Sequence, residues 1–175
     1  FLSQISKKLS KTYETDTQLL DSLSSELIEM LRTTKATGAF ILLTDDINDN
    51  SVPGLYFRDY DPLSDNLSFK DLYVVVGPSE IAKKLKVPLD QMWSYDLRLT
   101  SDNQDFIKKP LNLANLSNDP KLLGYWSKPF KLSDTDLQIM TYSMPIFDPK
   151  NNLKGIVGIE VTLNHMIKML PDTAL

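Results

Sequence analysis

Near the end of the chain two alternating runs flank a polar turn, and such a pair folds most simply as neighbouring strands. Gln138 to Phe147 and Gly155 to Leu163 alternate, and Asp148-Pro-Lys-Asn-Asn152 lies between them, so the segment predicts an antiparallel β-hairpin with a long turn. In the second run Val157, Ile159, Val161 and Leu163 fall on one side and Ile156, Gly158, Glu160 and Thr162 on the other, because successive strand side chains point to opposite faces. Glu160 is therefore a carboxylate inside an apolar strand. It must either face solvent or be paired.

The chain ahead of the hairpin supplies a helix and more strands. Residues 2 to about 34 read as one long helix, since Leu2, Ile5, Leu9, Tyr13, Leu20, Leu23, Leu27 and Met30 recur at three- and four-residue steps, with Asp16 the one break in the stripe. The first half of that stripe suits either a self-association seam or a face packed on the chain's own sheet. Ala39 to Thr44 reads as a buried strand, Asp45 to Pro53 as a polar turn region, Leu55 to Asp59 as a second strand and Asp61 to Asn66 as a surface loop. Leu72 to Val76 is a further short strand, and Ser79 opens a helix that runs to Leu85. Trp93, Tyr95, Leu97 and Leu99 alternate with Ser94, Asp96 and Arg98, as in a half-buried strand or extended arm. Residues 101 to 123, rich in Asn, Asp, Ser and Pro, are expected to be the least ordered part. Strand pattern returns at Tyr125 and Trp126, and Asn164 is placed to cap a last helix from His165 to Leu170. The sum predicts an α+β fold: an antiparallel sheet with a long N-terminal helix (residues 1–36) along one side of a single domain (37–175).

Several functions lack the residues they need. At 175 residues the chain suits one domain, and a net charge of -4 without a basic stripe argues against nucleic acid. With no Cys there is no disulfide, thiolate metal site or Cys nucleophile, which fits an exported domain. The lone His165 has no catalytic constellation beside it, Asp45-Asp46-Ile-Asn-Asp49 lacks the Gly and terminal Glu of a calcium loop, and Val75-Val-Gly-Pro78 has one Gly where a phosphate loop needs several. No enzyme, metal or cofactor is expected. The chain opens at Phe1 without a Met or an apolar span, so it reads as a piece of a longer protein whose membrane segments lie outside it.

A binding pocket has better material. Trp93, Tyr125, Trp126 and Tyr142 offer flat apolar surface with polar tips, and Arg98, Asp96 and Glu160 offer charge, although any one of the aromatics taken singly suits the core better than a site. The geometry expected of a hairpin puts Glu160 in a cavity walled by Tyr142, Tyr125 and Trp126, with Gly158 leaving room beside the carboxylate. A buried anion there would draw an amine or another hydrogen-bond donor.

Tyr142-Ser-Met-Pro-Ile-Phe-Asp148, followed by Gly155-Ile-Val-Gly-Ile-Glu-Val-Thr-Leu163 and preceded by Gly124-Tyr-Trp-Ser-Lys-Pro-Phe130, resembles the Cache (PAS-like) sensor domains of bacterial chemoreceptors, histidine kinases and diguanylate cyclases. The resemblance implies an extracytoplasmic, small-molecule-binding module, tethered at the membrane and linked to an intracellular output domain. It also implies that Glu160 stands where amine sensors carry an Asp that accepts the ligand's ammonium group. The family's Arg-x-Trp-Tyr-x-x-Ala carboxylate grip is mostly missing, because its counterpart here is Lys108-Lys-Pro-Leu-Asn-Leu-Ala114. A non-sensing dimerisation module and a cytoplasmic PAS-like regulatory domain are the alternatives.

Overall fold

The protein, seen as a computed structural model, is described for residues 1–44, 50–64, 70–117, 119 and 122–171. Two helices open the chain, α1 (Leu2–Leu9) and α2 (Asp16–Thr34), followed by β1 (Gly38–Leu43), β2 (Ser51–Val52), β3 (Gly54–Asp59) and β4 (Leu72–Val76). Helix α3 (Ser79–Leu85) then leads to β5 (Leu89–Ser94), β6 (Leu97–Arg98) and helix α4 (Asp105–Ala114). The chain closes with β7 (Tyr125–Trp126), β8 (Ile139–Phe147), β9 (Leu153–Thr162) and α5 (Leu163–Met169). Seven strands form one sheet in the order β5-β4-β3-β1-β9-β8-β7, and β2 pairs with β6 in a separate ribbon.

The sheet is buried on both faces, which is why β1 reads as an unbroken apolar run. Its first face, carrying Ala39, Ile41, Leu43, Leu55, Phe57, Val74 and Val157, packs against Ile5 and Leu9 of α1 and Leu20, Leu23, Leu27 and Leu31 of α2. Each such leucine, fully removed from water, contributes roughly 1.5–3 kcal/mol. The second face, carrying Phe40, Leu42, Tyr56, Val75 and Ile156, packs against Phe106 and Ile107 of α4. The α+β class, the sheet and the N-terminal helical layer are therefore as the sequence predicts.

Four local expectations are corrected. The single long helix is two, because Thr15 caps α2 by accepting from Gln18 N at 3.3 Å, and the Gln18 carboxamide oxygen takes Glu14 N at 3.0 Å. This is close to a capping box and forces a new start after the Ser10–Thr15 turn. The stretch from 101 to 123 contains α4, with Pro110 inside it; Phe106, Ile107 and Pro110 form its buried side. The alternating run from Trp93 to Leu99 divides between β5 and β6, and β5 lies parallel to β4 through the α3 crossover, unlike the antiparallel pairs elsewhere. The last helix is capped by Thr162, not Asn164, since Thr162 Oγ1 accepts from His165 N at 3.2 Å. Residues 45–49, with the Asp45-Asp46-Ile-Asn-Asp49 run, and 65–66 of the expected surface loop lie outside the described residues.

Candidate functional site

The polar centre of the molecule forms on the second face, where β1, β3 and β9 end together. Gly38 lies opposite Arg58 on one side and Glu160 on the other, so all three share a face. A Cβ at Gly38 would stand 3.0 Å from both Glu160 Cβ and the Phe57 carbonyl oxygen, so the glycine lets Glu160 pack closely across β1. Arg58 reaches over that gap. Its Nε donates to Glu160 Oε1 at 3.0 Å and its Nη2 to Glu160 Oε2 at 2.7 Å.

The other side of the guanidinium holds Asp136, on the segment between Phe130 and Ile139. Nη1 donates to Asp136 Oδ1 at 2.8 Å and Nη2 to Asp136 Oδ2 at 3.2 Å. Tyr56 OH donates to Glu160 Oε2 at 2.8 Å, and Thr37 Oγ1 donates to Glu160 Oε1 at 3.1 Å. Arg58 and Glu160 are fully buried, and Asp136 nearly so. Burial pulls the Arg58 guanidinium down, but the charge of Glu160 and the hydrogen bonds to Glu160 and Asp136 outweigh it and hold it above its ordinary value. Burial, then Glu160, pushes the Tyr56 phenol well up. Two carboxylates on one guanidinium leave this cluster acidic and already filled by an internal cation.

Two clefts flank the Asp136 segment, which we call the strap. One, of about 440 Å³, runs between the strap and α5 and is lined by Thr37, Arg58, Asp61, Leu137 and His165. The other, of about 460 Å³, lies toward β4 and β5 and is lined by Tyr60, Asp71, Tyr73, Asp90 and Asp136. Among the described residues no group of three His, Asp or Glu side chains is placed to hold a metal ion.

The six residues expected around one ligand are not gathered at one place. Glu160 is paired, as a carboxylate in that strand has to be, but its partner is Arg58. Tyr142 pairs with Ile159 and so lies on the first face, opposite to Glu160. A register shift between Ile146 and Phe147 is the cause: the pairing beyond it is displaced by one residue, and Thr141 takes the place beside Glu160. Trp126, across from Tyr142 and 53% exposed, packs on it with ring centroids 5.2 Å apart. The room expected beside Gly158 is occupied, since a Cβ there would meet Phe40 Cζ at 2.4 Å. Only Tyr125, paired with Ser143, shares the second face with Glu160. Trp93 packs against the first-face core and donates its indole N–H to Gly77 O at 3.0 Å. Arg98 is exposed in the β2-β6 ribbon, beside Asp96, which accepts from Ser51 Oγ at 3.4 Å. Sequence reasoning missed Arg58, Asp136, Tyr56 and Thr37. The signal for Arg58 was present: a guanidinium in the run Gly54-Leu-Tyr-Phe-Arg58 needs a buried carboxylate as much as Glu160 needs a cation.

A sheet with a helical layer along one face is the α+β arrangement that the resemblance of the hairpin implied. Residues 23–168 match the family model described as methyl-accepting chemotaxis protein-like, first PDC sensor domain, and the chain belongs to that family. The family is one of sensor domains, a non-catalytic class. The ligand-binding domain of the Campylobacter jejuni chemoreceptor Tlp3, solved with 4-methylisoleucine, is 14% identical with a TM-score of 0.49, over 97% of this chain and 53% of that one. The ligand-binding domain of the Pseudomonas aeruginosa PAO1 amino acid chemoreceptor PctC, solved with GABA, is 12% identical with a TM-score of 0.45, over 97% of this chain and 53% of that one. The chain thus spans about half the length of these solved chains. No curated protein matches it significantly.

Proposed function

We propose that this chain is the extracytoplasmic sensor module of a membrane-tethered bacterial signalling protein, and that it binds a small polar or amine-containing molecule on the second face. The observation that carries the reading is the position of Asp136. It ties the strap to Arg58 and, through Arg58, to Glu160 on β9, which runs directly into α5. A ligand in either cleft touches the strap and so favours one arrangement of it over another. It shifts the output by its differential affinity for the two. Glu160 then acts through Arg58, and Tyr125 lies farther along the same face.

A thermal-shift screen of amines, amino acids, purines and carboxylates tests the reading on wild type and Asp136→Asn. We expect a compound that stabilises wild type and whose effect changes when the strap is freed. If no class shifts the melting temperature at millimolar concentration, the non-sensing interaction module takes precedence. Tethering calls for membrane spans on both sides of this segment in the full-length protein, while their absence favours the cytoplasmic regulatory reading. The homodimer expected through the N-terminal helix finds less apolar surface than its stripe promised, because Ile5 and Leu9 are buried within the chain. Sedimentation with and without residues 1 to 18 tests what remains of it.

A further inference from the structure

The cleft beside β4 and β5 has a composition that selects one kind of ligand. Among the described residues that line it there is no Lys, Arg or His, while Asp71, Asp90 and Asp136 are all present. Asp136 has Arg58 as its cation. Asp90 has none among the described residues, although it is only 8% exposed. Its oxygens accept from neutral donors, Oδ2 from Tyr60 OH at 2.5 Å and Oδ1 from Met92 N at 2.8 Å. A carboxylate so far from water with neutral hydrogen-bond partners gains from a further positive charge, because the Arg58 guanidinium, which also lies close enough to Tyr60 to act on its phenol, is already shared by Glu160 and Asp136.

The walls suit the body of such a cation. Tyr60 and Tyr73 meet edge to face with centroids 5.3 Å apart, and Leu89 and Met92 line the same cleft with exposed apolar side chains. Burial, followed by the hydrogen bond to Asp90, pushes the Tyr60 phenol up to about 12, so it stays a neutral donor at physiological pH and adds no charge of its own. A metal ion would need several free oxygens, and both oxygens of Asp90 are already engaged.

We propose that this cleft binds a small organic cation with an apolar body, an alkyl- or arylammonium ion whose charge lies against Asp90 and Asp71 and whose body lies against Tyr60, Tyr73 and Met92. The proposal rests on the sensor reading and gives it a ligand class and a place distinct from the filled Arg58–Glu160 pair. Isothermal titration with 2-phenylethylammonium tests it, with 2-phenylethanol as the neutral analogue, on wild type, Asp90→Asn and Asp71→Asn. The ammonium ion should bind wild type at least about tenfold more tightly than the alcohol, and should lose about tenfold in Asp90→Asn and severalfold in Asp71→Asn. Circular dichroism shows whether Asp90→Asn folds, and the exposed Asp71→Asn carries the test if it does not. Equal affinity for the ion and the alcohol, unchanged affinity in both variants, or no binding of the ion at about 10 mM overturns the cation site. A screened metabolite that stabilises wild type and Asp90→Asn alike, together with no binding of 2-phenylethylammonium, removes this cleft and leaves the sensor reading standing. A screen with no stabilising compound removes both.

Discussion

The two faces of the sheet are both buried and are differently made. The first is apolar from β4 to β8 and is closed by α1 and α2, whose leucines meet it in one continuous cluster. The second is apolar at Phe40, Tyr56 and Ile156 and ionic at Arg58, Glu160 and Asp136, and it is closed by α4 and the irregular strap. Replacing a buried ion cluster by apolar residues of similar volume is often neutral or favourable, so stability alone does not call for the ionic half. The first face holds the fold together, and the second holds the strap to it through charge.

The sharpest way to break this contrast is Arg58→Ala. It leaves Glu160 and Asp136 buried without a cation and should cost about 3–5 kcal/mol, read by chemical denaturation. The triple replacement Arg58→Met, Glu160→Gln, Asp136→Asn should be less destabilised than Arg58→Ala alone, because no charge is then left bare. If Arg58→Ala costs under about 1 kcal/mol, the ionic half does not hold the second face. On the first face Leu27→Ala should cost about 3 kcal/mol by opening a cavity under α2, while ligand response keeps its wild-type affinity. An altered affinity would show that the two faces are not separate in role. Thr15→Ala removes the cap of α2 and should cost about 1 kcal/mol, seen as faster amide exchange around residues 10–18.

The smallest effect at neutral pH is the alkaline limit. The phenols of Tyr56 and Tyr60 are both raised, by burial first and then by Glu160 and Asp90, Tyr60 to about 12. A folded value above the unfolded one contributes stability that is fully present below pH ~10 and is lost as pH rises through the folded value. Stability should fall from about pH 10 upward, and Tyr60→Phe should remove part of that slope. A pH-independent melting temperature between about 9 and 11 contradicts the burial of these phenols beside carboxylates.

The first face was the more legible of the two, for a physical reason. Its helices and strands carry apolar residues at fixed periods, so α2, β1, β3, β4 and the β8-β9 hairpin follow from spacing. Even the break between α1 and α2 was written in Thr15-Asp-Thr-Gln18, a capping pattern hidden by the continuing leucine stripe. Glu160 was legible as a residue that needs a partner. Which partner it takes depends on strand order, and strand order is not a local property. The displacement of Tyr142 to the other face came from one register shift at Ile146, and a one-residue slip reverses every side chain beyond it. Helix α4 was obscured by Pro110 among polar neighbours, although Phe106, Ile107 and Pro110 form a single buried stripe.

The arrangement around Gly38 also bears on how such a chain changes over generations. Substitutions at Arg58, Glu160 and Asp136 are non-additive because they share one hydrogen-bond network, so their order matters. A lineage that loses Asp136 first passes through a variant in which Arg58 still holds Glu160. A lineage that loses Arg58 first passes through one with two facing carboxylates and a vacated volume between them. That second intermediate is poorly stable, yet it is also a ready-made receptor for any small cation that fills the vacancy. One codon thus separates a domain that carries its own cation from one that must find it outside.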